Sequence, residues 1–268
     1  MPADTFQTSD GLTIYAEHHL PDGEPKAAVL LVHGYGEHLG RYRHVIARLV
    51  DSGYAVYALD HRGHGKSEGV RAYCDYMGQF VEDLKVYFDH MKAAQPGKKR
   101  FVLGHSMGAV TAGRVAQLDT RFSAAAALCA PMENPLVPGV TLADIHVPVM
   151  FVVAIEDNSI TEFGNKFIRD NFSAATVPAT KIEIPDAGHW SVSDLDGLVD
   201  IFAPGCGEAM RQTDGSDFTY LDPPTGRDIA ASYATAFFEA NLKGSEGARS
   251  YLYSASGSFG VALDVQHH

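Results

Sequence analysis

Short apolar runs alternate with amphipathic segments along most of this chain. Apolar residues recur at helical spacing in 42–50 and 80–91, and residues 227–242 have the pattern of a final helix. Several of the apolar runs are hydrophobic nearly throughout, as strands buried on both faces are. The alternation predicts an α/β fold with a mostly parallel central sheet and helices on both faces. The predicted strands are 12–19, 27–33, 54–60, 100–104, 124–130, 147–154 and 180–184.

Two later regions lack this regular pattern. Residues 190–226 are rich in Asp, Gly and Pro, so we expect a long loop or insertion there, or an element whose pattern is weak. Residues 244–268 are rich in Ser and Gly, and we expect a partly frayed tail. A chain of 268 residues can bury one sizeable core, so we expect a single domain over 1–268.

Composition narrows the classes of partner. A formal net charge of −12 disfavours binding to nucleic acid and to anionic lipid surfaces. The first ten residues lack the features of an export signal, and no apolar run has the length of a membrane span. For the chain as given we therefore expect a cytoplasmic protein without integral membrane association. Cys74, Cys129 and Cys206 lack metal-ligand spacing, which favours free thiols.

The clearest chemical signal is the motif Gly104-His105-Ser106-Met107-Gly108. It follows a predicted strand and opens a helix of small residues, and a Gly-x-Ser-x-Gly motif in that setting is typical of a nucleophile elbow. Glycines flank the serine because so tight a turn leaves little room for side chains. The turn also places the serine at a helix N-terminus, where free amides favour a developing negative charge. We predict that Ser106 is a catalytic nucleophile.

A serine nucleophile needs a base within reach and an acid that orients the base. His189 is the best candidate for the base, because it follows the last predicted strand at the edge where Ser106 also emerges. The acid is expected between them in the chain, and Glu156 and Asp157 both follow the strand 147–154. Neighbouring residues point in opposite directions, so only one of the two can face His189. Asp157 is favoured because its shorter side chain holds an imidazole more rigidly.

An oxyanion hole requires two amide donors aimed at the tetrahedral oxygen. One is expected from Met107, which follows the nucleophile, and the other from Tyr35 in the glycine-containing loop after the strand 27–33. We expect His33 to fix that loop by hydrogen bonding. The segment 60–67 contains two histidines but no third ligand cluster, so it indicates a structural turn and no metal site.

These motifs resemble the α/β-hydrolase superfamily, and the first 120 or so residues resemble its monoacylglycerol lipase and lysophospholipase branch. The resemblance implies an eight-strand fold, a Ser-Asp-His triad and ester hydrolysis without a cofactor or metal. The segments that carry it are LVHGYGEH at 31–38, GRY at 40–42, DHRGHGKSEG at 60–69 and GHSMG at 104–108.

The second half departs from that branch. Its members carry a cap domain between the strand after the elbow helix and the acid-bearing strand, whereas residues 131–146 are too few for a helical cap. The later sequence is more similar to lidless cutinases, polyester hydrolases and relatives of dienelactone hydrolase, in which the acid follows Gly-x-x-Asp. Here Ala154 replaces that glycine and Asp157 occupies the acid position. A natural mosaic and an engineered fusion would both produce this pattern.

The leading hypothesis is a carboxylic ester hydrolase with an open site, acting on short to medium acyl esters, with monoacylglycerols among the candidate substrates. A polyester hydrolase, thioesterase, amidase or cofactor-free perhydrolase could use the same triad. The alternative from another class is a catalytically silent binding protein on a hydrolase scaffold. Intact Ser106 and His189 argue against that alternative.

Overall fold

A large, mostly parallel β-sheet runs through the computed structural model, which describes residues 3–194, 205–242, 245–253 and 259–268. The strands in chain order are β1 (Ala3–Gln7), β2 (Thr13–His19), β3 (Ala27–Val32), β4 (Tyr54–Leu59), β5 (Lys99–His105), β6 (Ala124–Leu128), β7 (Val149–Ala154), β8 (Ala179–Ile184), β9 (Glu208–Met210), β10 (Asp217–Thr219) and β11 (Asp264–His267). Within the described residues the large sheet has nine strands in the order β1-β2-β4-β3-β5-β6-β7-β8-β11. Strands β3 to β8 are parallel, and β1, β2 and β11 run antiparallel to their neighbours.

Helices cover both faces of this sheet. They are α1 (Arg43–Asp51), α2 (Gly78–Ala94), α3 (Met107–Leu118), α4 (Thr161–Ala174), α5 (Pro223–Ala240) and α6 (Glu246–Leu252). Helices α2, α3 and α4 pack with Leu30 on one face of β3, while α1, α5 and α6 pack with Val29 on the other. This division follows from the alternation of side chains along a strand. The predicted α/β architecture, a mostly parallel sheet with helices on both faces, is thus confirmed, with a hydrophobic core on each side of the sheet.

The seven predicted strands correspond to β2 through β8, but the sheet is larger than the eight strands that the resemblance implies. The additional edge strand, β11, pairs antiparallel with β8, with Val265 opposite Ile182. Its residues alternate between exposed and half-buried side chains, which is the pattern of an edge strand with little apolar content. The Ser and Gly content of 244–268 predicts a frayed tail, and the weak apolar pattern of β11 gives no signal against it. The described part of the tail instead contains α6 and β11, while 254–258 lie outside the described residues.

The region 190–226 also contains structure that its sequence pattern did not indicate. Strands β9 and β10 form a short antiparallel hairpin, in which Ala209 pairs with Phe218. Helix α5 begins at Pro223, with the Asp222 side chain accepting a hydrogen bond from the Thr225 amide at its N-terminus. The part of the predicted loop at 195–204 lies outside the described residues.

The connection after β6 is short and carries no helical cap. Residues 131–148 contain a single 3-10 turn, Leu142–Asp144, and an isolated bridge between Asn134 and Val137. Nothing in this connection has the size of a lid over the carboxyl edge of the sheet. Separately, among the described helices none combines the length and the apolar character that a membrane crossing demands.

Candidate active site

Ser106 lies in a strained turn between β5 and α3. Its φ is +55°, a region that residues with side chains rarely occupy, and the residue is partly exposed. A Cβ atom on Gly104 would lie 2.1 Å from the carbonyl oxygen of Gly108. A Cβ atom on Gly108 would lie 2.3 Å from the carbonyl oxygen of Val32. Both motif glycines are therefore required by backbone contacts, as the steric interpretation of the elbow predicts.

Gly104→Ala is expected to lower the free energy of unfolding by roughly 2 to 4 kcal/mol, because the added methyl meets rigid backbone. Urea unfolding monitored by circular dichroism measures this change. Gly247→Ala is the matched control, because the same methyl in α6 meets nothing within 4 Å. The control should be neutral or stabilising by about 0.5 to 1 kcal/mol. Equal effects of the two substitutions would contradict the steric account.

His189 and Asp157 form a buried pair at the carboxyl edge of the sheet. The His189 Nδ1 atom lies 2.7 Å from Asp157 Oδ2, and the two side chains are almost fully buried. The second carboxylate oxygen accepts hydrogen bonds from the backbone amides of Ser159 and Ile160 at 2.9 and 2.8 Å. Asp157 is thus fixed on one side and orients the imidazole with the other. The structure brings together the base and the acid that the sequence favoured.

Glu156 faces away from this pair. Its side chain is buried, and its Oε1 atom accepts a hydrogen bond from Arg211 at 2.9 Å. The two adjacent carboxylates therefore have different partners, a histidine for Asp157 and an arginine for Glu156. This arrangement matches the opposite orientations expected of neighbouring residues after a strand.

No hydrogen bond joins Ser106 Oγ to His189 Nε2 in the part of the chain that the structure describes. Catalytic hydrogen bonds of free enzymes are often long and shorten when substrate binds. Because Nδ1 is engaged by Asp157, Nε2 is the ring atom that remains for the serine. The imidazole ring itself packs edge to face against Trp190, at 4.6 Å between centroids.

The loop after β3 approaches the elbow closely. A Cβ atom on Gly34 would lie 2.8 Å from Ser106 Cβ, so only glycine fits beside the serine. The backbone amides of Tyr35 and Met107, the two predicted oxyanion donors, have no hydrogen-bond acceptor among the residues described. The Tyr35 side chain is half exposed, and its hydroxyl donates to the carbonyl oxygen of Ala72 at 2.5 Å.

A buried ion pair beneath the elbow was not predicted from the sequence. Burial alone would raise the pKa of Glu37, but the charge and hydrogen bonds of His105 and the Tyr42 hydroxyl outweigh it and lower that pKa to about 2. Burial likewise opposes protonation of His105, yet the Glu37 carboxylate raises the pKa of this imidazole above its usual value. The His105 Nδ1 atom lies 2.9 Å from Glu37 Oε2.

This ion pair connects three loops of the site. Glu37 Oε2 accepts a hydrogen bond from the Gly34 amide at 2.9 Å, in the loop after β3. The His105 Nε2 atom, next to the nucleophile, lies 3.0 Å from the carbonyl oxygen of His189. In the sequence, Glu37 and His105 each stand next to a glycine of a motif. That position alone does not predict that the two side chains form an ion pair.

His33 holds the loop after β3 with both ring nitrogens. Its Nδ1 atom lies 2.7 Å from the carbonyl oxygen of Gly34, and its Nε2 atom accepts a hydrogen bond from the His61 amide at 2.9 Å. This pattern requires a neutral ring with its proton on Nδ1. The expectation that His33 fixes the loop is confirmed.

The segment 60–67 forms the structural turn that its sequence indicates. The Asp60 carboxylate accepts hydrogen bonds from the backbone amides of Leu39 and Lys66 at 2.8 and 2.9 Å. The Ser67 hydroxyl donates to the carbonyl oxygen of Asp60 at 2.6 Å. Asp60 thereby connects this turn to the chain that leads into α1.

Acidification is expected to destabilise the fold between pH 6.5 and pH 4. Burial lowers the pKa of His33 and of His44 to about 4, and that of His61 well below its ordinary value. The unfolded chain therefore binds more protons in this range, and stability falls as the pH falls, by about 3 kcal/mol for His33 alone. His105 acts in the opposite direction because Glu37 raises its pKa. Urea titrations at several pH values measure the net effect, and constant stability over this range would contradict it.

Known sequences are similar to the first half of the chain. The family described as serine aminopeptidase, S33, matches residues 23–143. Monoacylglycerol lipase of Mycolicibacterium smegmatis is 44% identical over 104 residues, which cover 39% of this chain and 37% of that protein. Human monoglyceride lipase is 40% identical over 104 residues, covering 39% of this chain and 34% of the human protein. The chain thus spans little more than a third of the length of these relatives.

Comparison with solved structures extends over more of the chain. The alpha/beta hydrolase GrgF from Penicillium sp. sh18 superposes with a TM-score of 0.58, covering 71% of this chain and 92% of that one at 16% identity. The chain has the α/β-hydrolase fold. In this fold, Ser106, the pair of His189 and Asp157, and the Tyr35 loop all lie at the carboxyl edge of the parallel strands, where open α/β sheets bind ligands.

Proposed function

We propose that this α/β-hydrolase is a carboxylic ester hydrolase with Ser106 as nucleophile. The observation that carries the proposal is the buried pair of His189 and Asp157, 2.7 Å apart, at the same sheet edge as the strained Ser106 turn. In the first step the Ser106 Oγ atom attacks the ester carbonyl carbon while His189 Nε2 accepts the hydroxyl proton. Asp157 holds the imidazole by its Nδ1 atom and stabilises the imidazolium that forms.

The negatively charged oxygen of the tetrahedral intermediate is expected to accept hydrogen bonds from the amides of Tyr35 and Met107. His189 then donates its proton to the leaving alcohol, and the C–O bond breaks to leave an acyl group on Ser106. A water molecule attacks this acyl group with His189 again as base. The carboxylic acid departs and Ser106 recovers its proton.

The substrate class follows from the shape of the site and from the relatives. Residues 131–148 form no helical cap and Ser106 is partly exposed, which favours esters of short to medium acyl chains. The relatives named monoacylglycerol lipase and monoglyceride lipase add monoacylglycerols to the substrates to test. The matched family, described as serine aminopeptidase, supports a second candidate, amide hydrolysis on the same triad.

A panel of matched substrates tests this proposal. p-Nitrophenyl esters of increasing chain length, the corresponding p-nitroanilides and thioesters, and monoacylglycerols are compared by kcat/KM with purified protein. We expect the esters to be preferred over the amides and the short chains over the long ones. Preferred cleavage of p-nitroanilides would support the peptidase candidate instead. Turnover of none of these substrates by folded protein would contradict the proposed function.

A further inference from the structure

The hairpin β9–β10 lies against the loop that carries the candidate acid. It falls in the region 190–226, for which the sequence pattern indicates no role. Gln212, just after β9, donates from its side chain to the carbonyl oxygen of Asp157 at 2.5 Å. Its backbone amide also lies 3.3 Å from Glu156 Oε2. The hairpin therefore contacts the acid loop through more than one group.

Arg211 joins two loops of the site through one guanidinium group. Its Nη1 atom lies 2.9 Å from Glu156 Oε1, in the loop after β7, and its Nη2 atom lies 2.7 Å from Asp186 Oδ1, in the loop after β8. The guanidinium also stacks over the Phe218 ring of β10, 4.8 Å from its centroid. A planar group with fixed donors suits such a bridge, because each carboxylate meets its own nitrogen.

The two bridged loops are those that supply the acid and the base. Glu156 immediately precedes Asp157, and Asp186 lies three residues before His189. The loop after β8 also contacts the chain just after β10, because the Leu221 amide donates to the carbonyl oxygen of Asp186 at 2.7 Å. A change in the distance between these loops would alter the distance between the two partners of the candidate triad.

The charge of Arg211 also stabilises the buried carboxylate of Glu156. The Glu156 side chain is only 3% exposed, and a buried carboxylate without a partner is costly. In the absence of Arg211, the Glu156 carboxylate would keep the Gln212 amide as a donor but lose its charged partner, so its side chain would move toward water. That movement would shift the backbone of the loop that carries Asp157.

We propose that Arg211 is a positioning residue, which fixes the loops of Asp157 and His189 relative to each other from the hairpin β9–β10. The inference rests on the proposed function, because it assigns Arg211 to the acid–base pair of the ester hydrolase. Arg211 acts through Glu156 and Asp186 and touches neither the substrate nor the reacting atoms. Misplacement of a catalytic group by about 1 Å can reduce a rate by roughly 100-fold.

Arg211→Met and Arg211→Lys test this role. We expect Arg211→Met to lower kcat roughly 10-fold or more while KM changes by less than about twofold, because orientation is lost and substrate contacts are retained. Arg211→Lys retains the charge and should restore part of kcat. The chemical shift of the proton in the His189–Asp157 hydrogen bond should change in Arg211→Met. A loss of global stability alone would leave this chemical shift in the folded protein unchanged.

Arg169→Met is the matched control. Arg169 also bridges two carboxylates, Glu183 at 2.9 Å and Glu162 at 2.6 Å, and its side chain is 29% exposed compared with 32% for Arg211. Neither of its partners lies in the acid or base loop, so kcat should be unchanged. An unchanged kcat in Arg211→Met, or an equal loss in Arg169→Met, would overturn the inference.

The same assays distinguish this inference from the proposed function. If Ser106→Ala abolishes turnover while Arg211→Met does not reduce it, only the role of Arg211 is wrong. If Ser106→Ala retains full activity, the proposed function itself is wrong.

Discussion

Replacing Ser106 with alanine is expected to lower kcat for ester hydrolysis by roughly 10⁴- to 10⁶-fold. In the proposed mechanism the substitution removes the atom that forms the acyl-enzyme, while the proposed oxyanion donors remain and sustain a small residual rate. Stopped or continuous assays with a p-nitrophenyl ester measure kcat and KM for both proteins. KM should change much less than kcat, because the substrate contacts are retained.

The fold of Ser106→Ala should be retained. Its backbone hydrogen bonds, from the Ser106 amide to Leu128 O at 3.0 Å and from the Ala109 amide to Ser106 O at 2.9 Å, do not involve the removed oxygen. Ser173→Ala, on the exposed side of α4, provides the matched control and should leave kcat unchanged. Retention of most of the activity in folded Ser106→Ala would mean that another group is the nucleophile.

Asp157→Asn is expected to reduce kcat by roughly 10²- to 10⁴-fold, because the amide no longer favours the imidazole tautomer that accepts the serine proton. Glu156→Gln should cost less than about 10-fold, because the glutamine oxygen can still accept a hydrogen bond from Arg211. The two adjacent substitutions remove one charge each and differ mainly in their partner. Comparison of kcat for the two variants therefore measures the role of the partner.

Circular dichroism and unfolding curves of both variants serve as the check on folding. A larger loss in Glu156→Gln than in Asp157→Asn would reverse the acid assignment. Equal losses would indicate that the loop as a whole, and not the bond to His189, determines the rate.

Continuous apolar runs predicted most of the sheet, because the central strands are buried on both faces. The edge strand β11 and the separate hairpin β9–β10 were less predictable. Strand β11 has exposed and half-buried side chains only, and β9 and β10 have three residues each, so backbone pairing determines these strands more than side-chain burial does. Helix α4 was also missed, although buried Ile168 and Phe172 lie on its core side.

The candidate site was predictable where a local motif carries the chemistry. Ser106 stands in a turn whose glycines are required by contacts within a few residues and with β3. The pair of Glu37 and His105 was not predictable, because the two residues are 68 positions apart and meet only through the fold. Arg211 was missed for the same reason, since its partners Glu156 and Asp186 come from two separate strand ends.

Covalent labelling with a fluorophosphonate tests the central claim, that Ser106 is an activated nucleophile, most directly. Intact mass followed by peptide mapping should show one adduct per chain on the peptide that contains Ser106. The adduct should be absent from Ser106→Ala and strongly reduced in Asp157→Asn. An adduct that persists in Ser106→Ala, or no adduct on folded and active protein, would contradict the account.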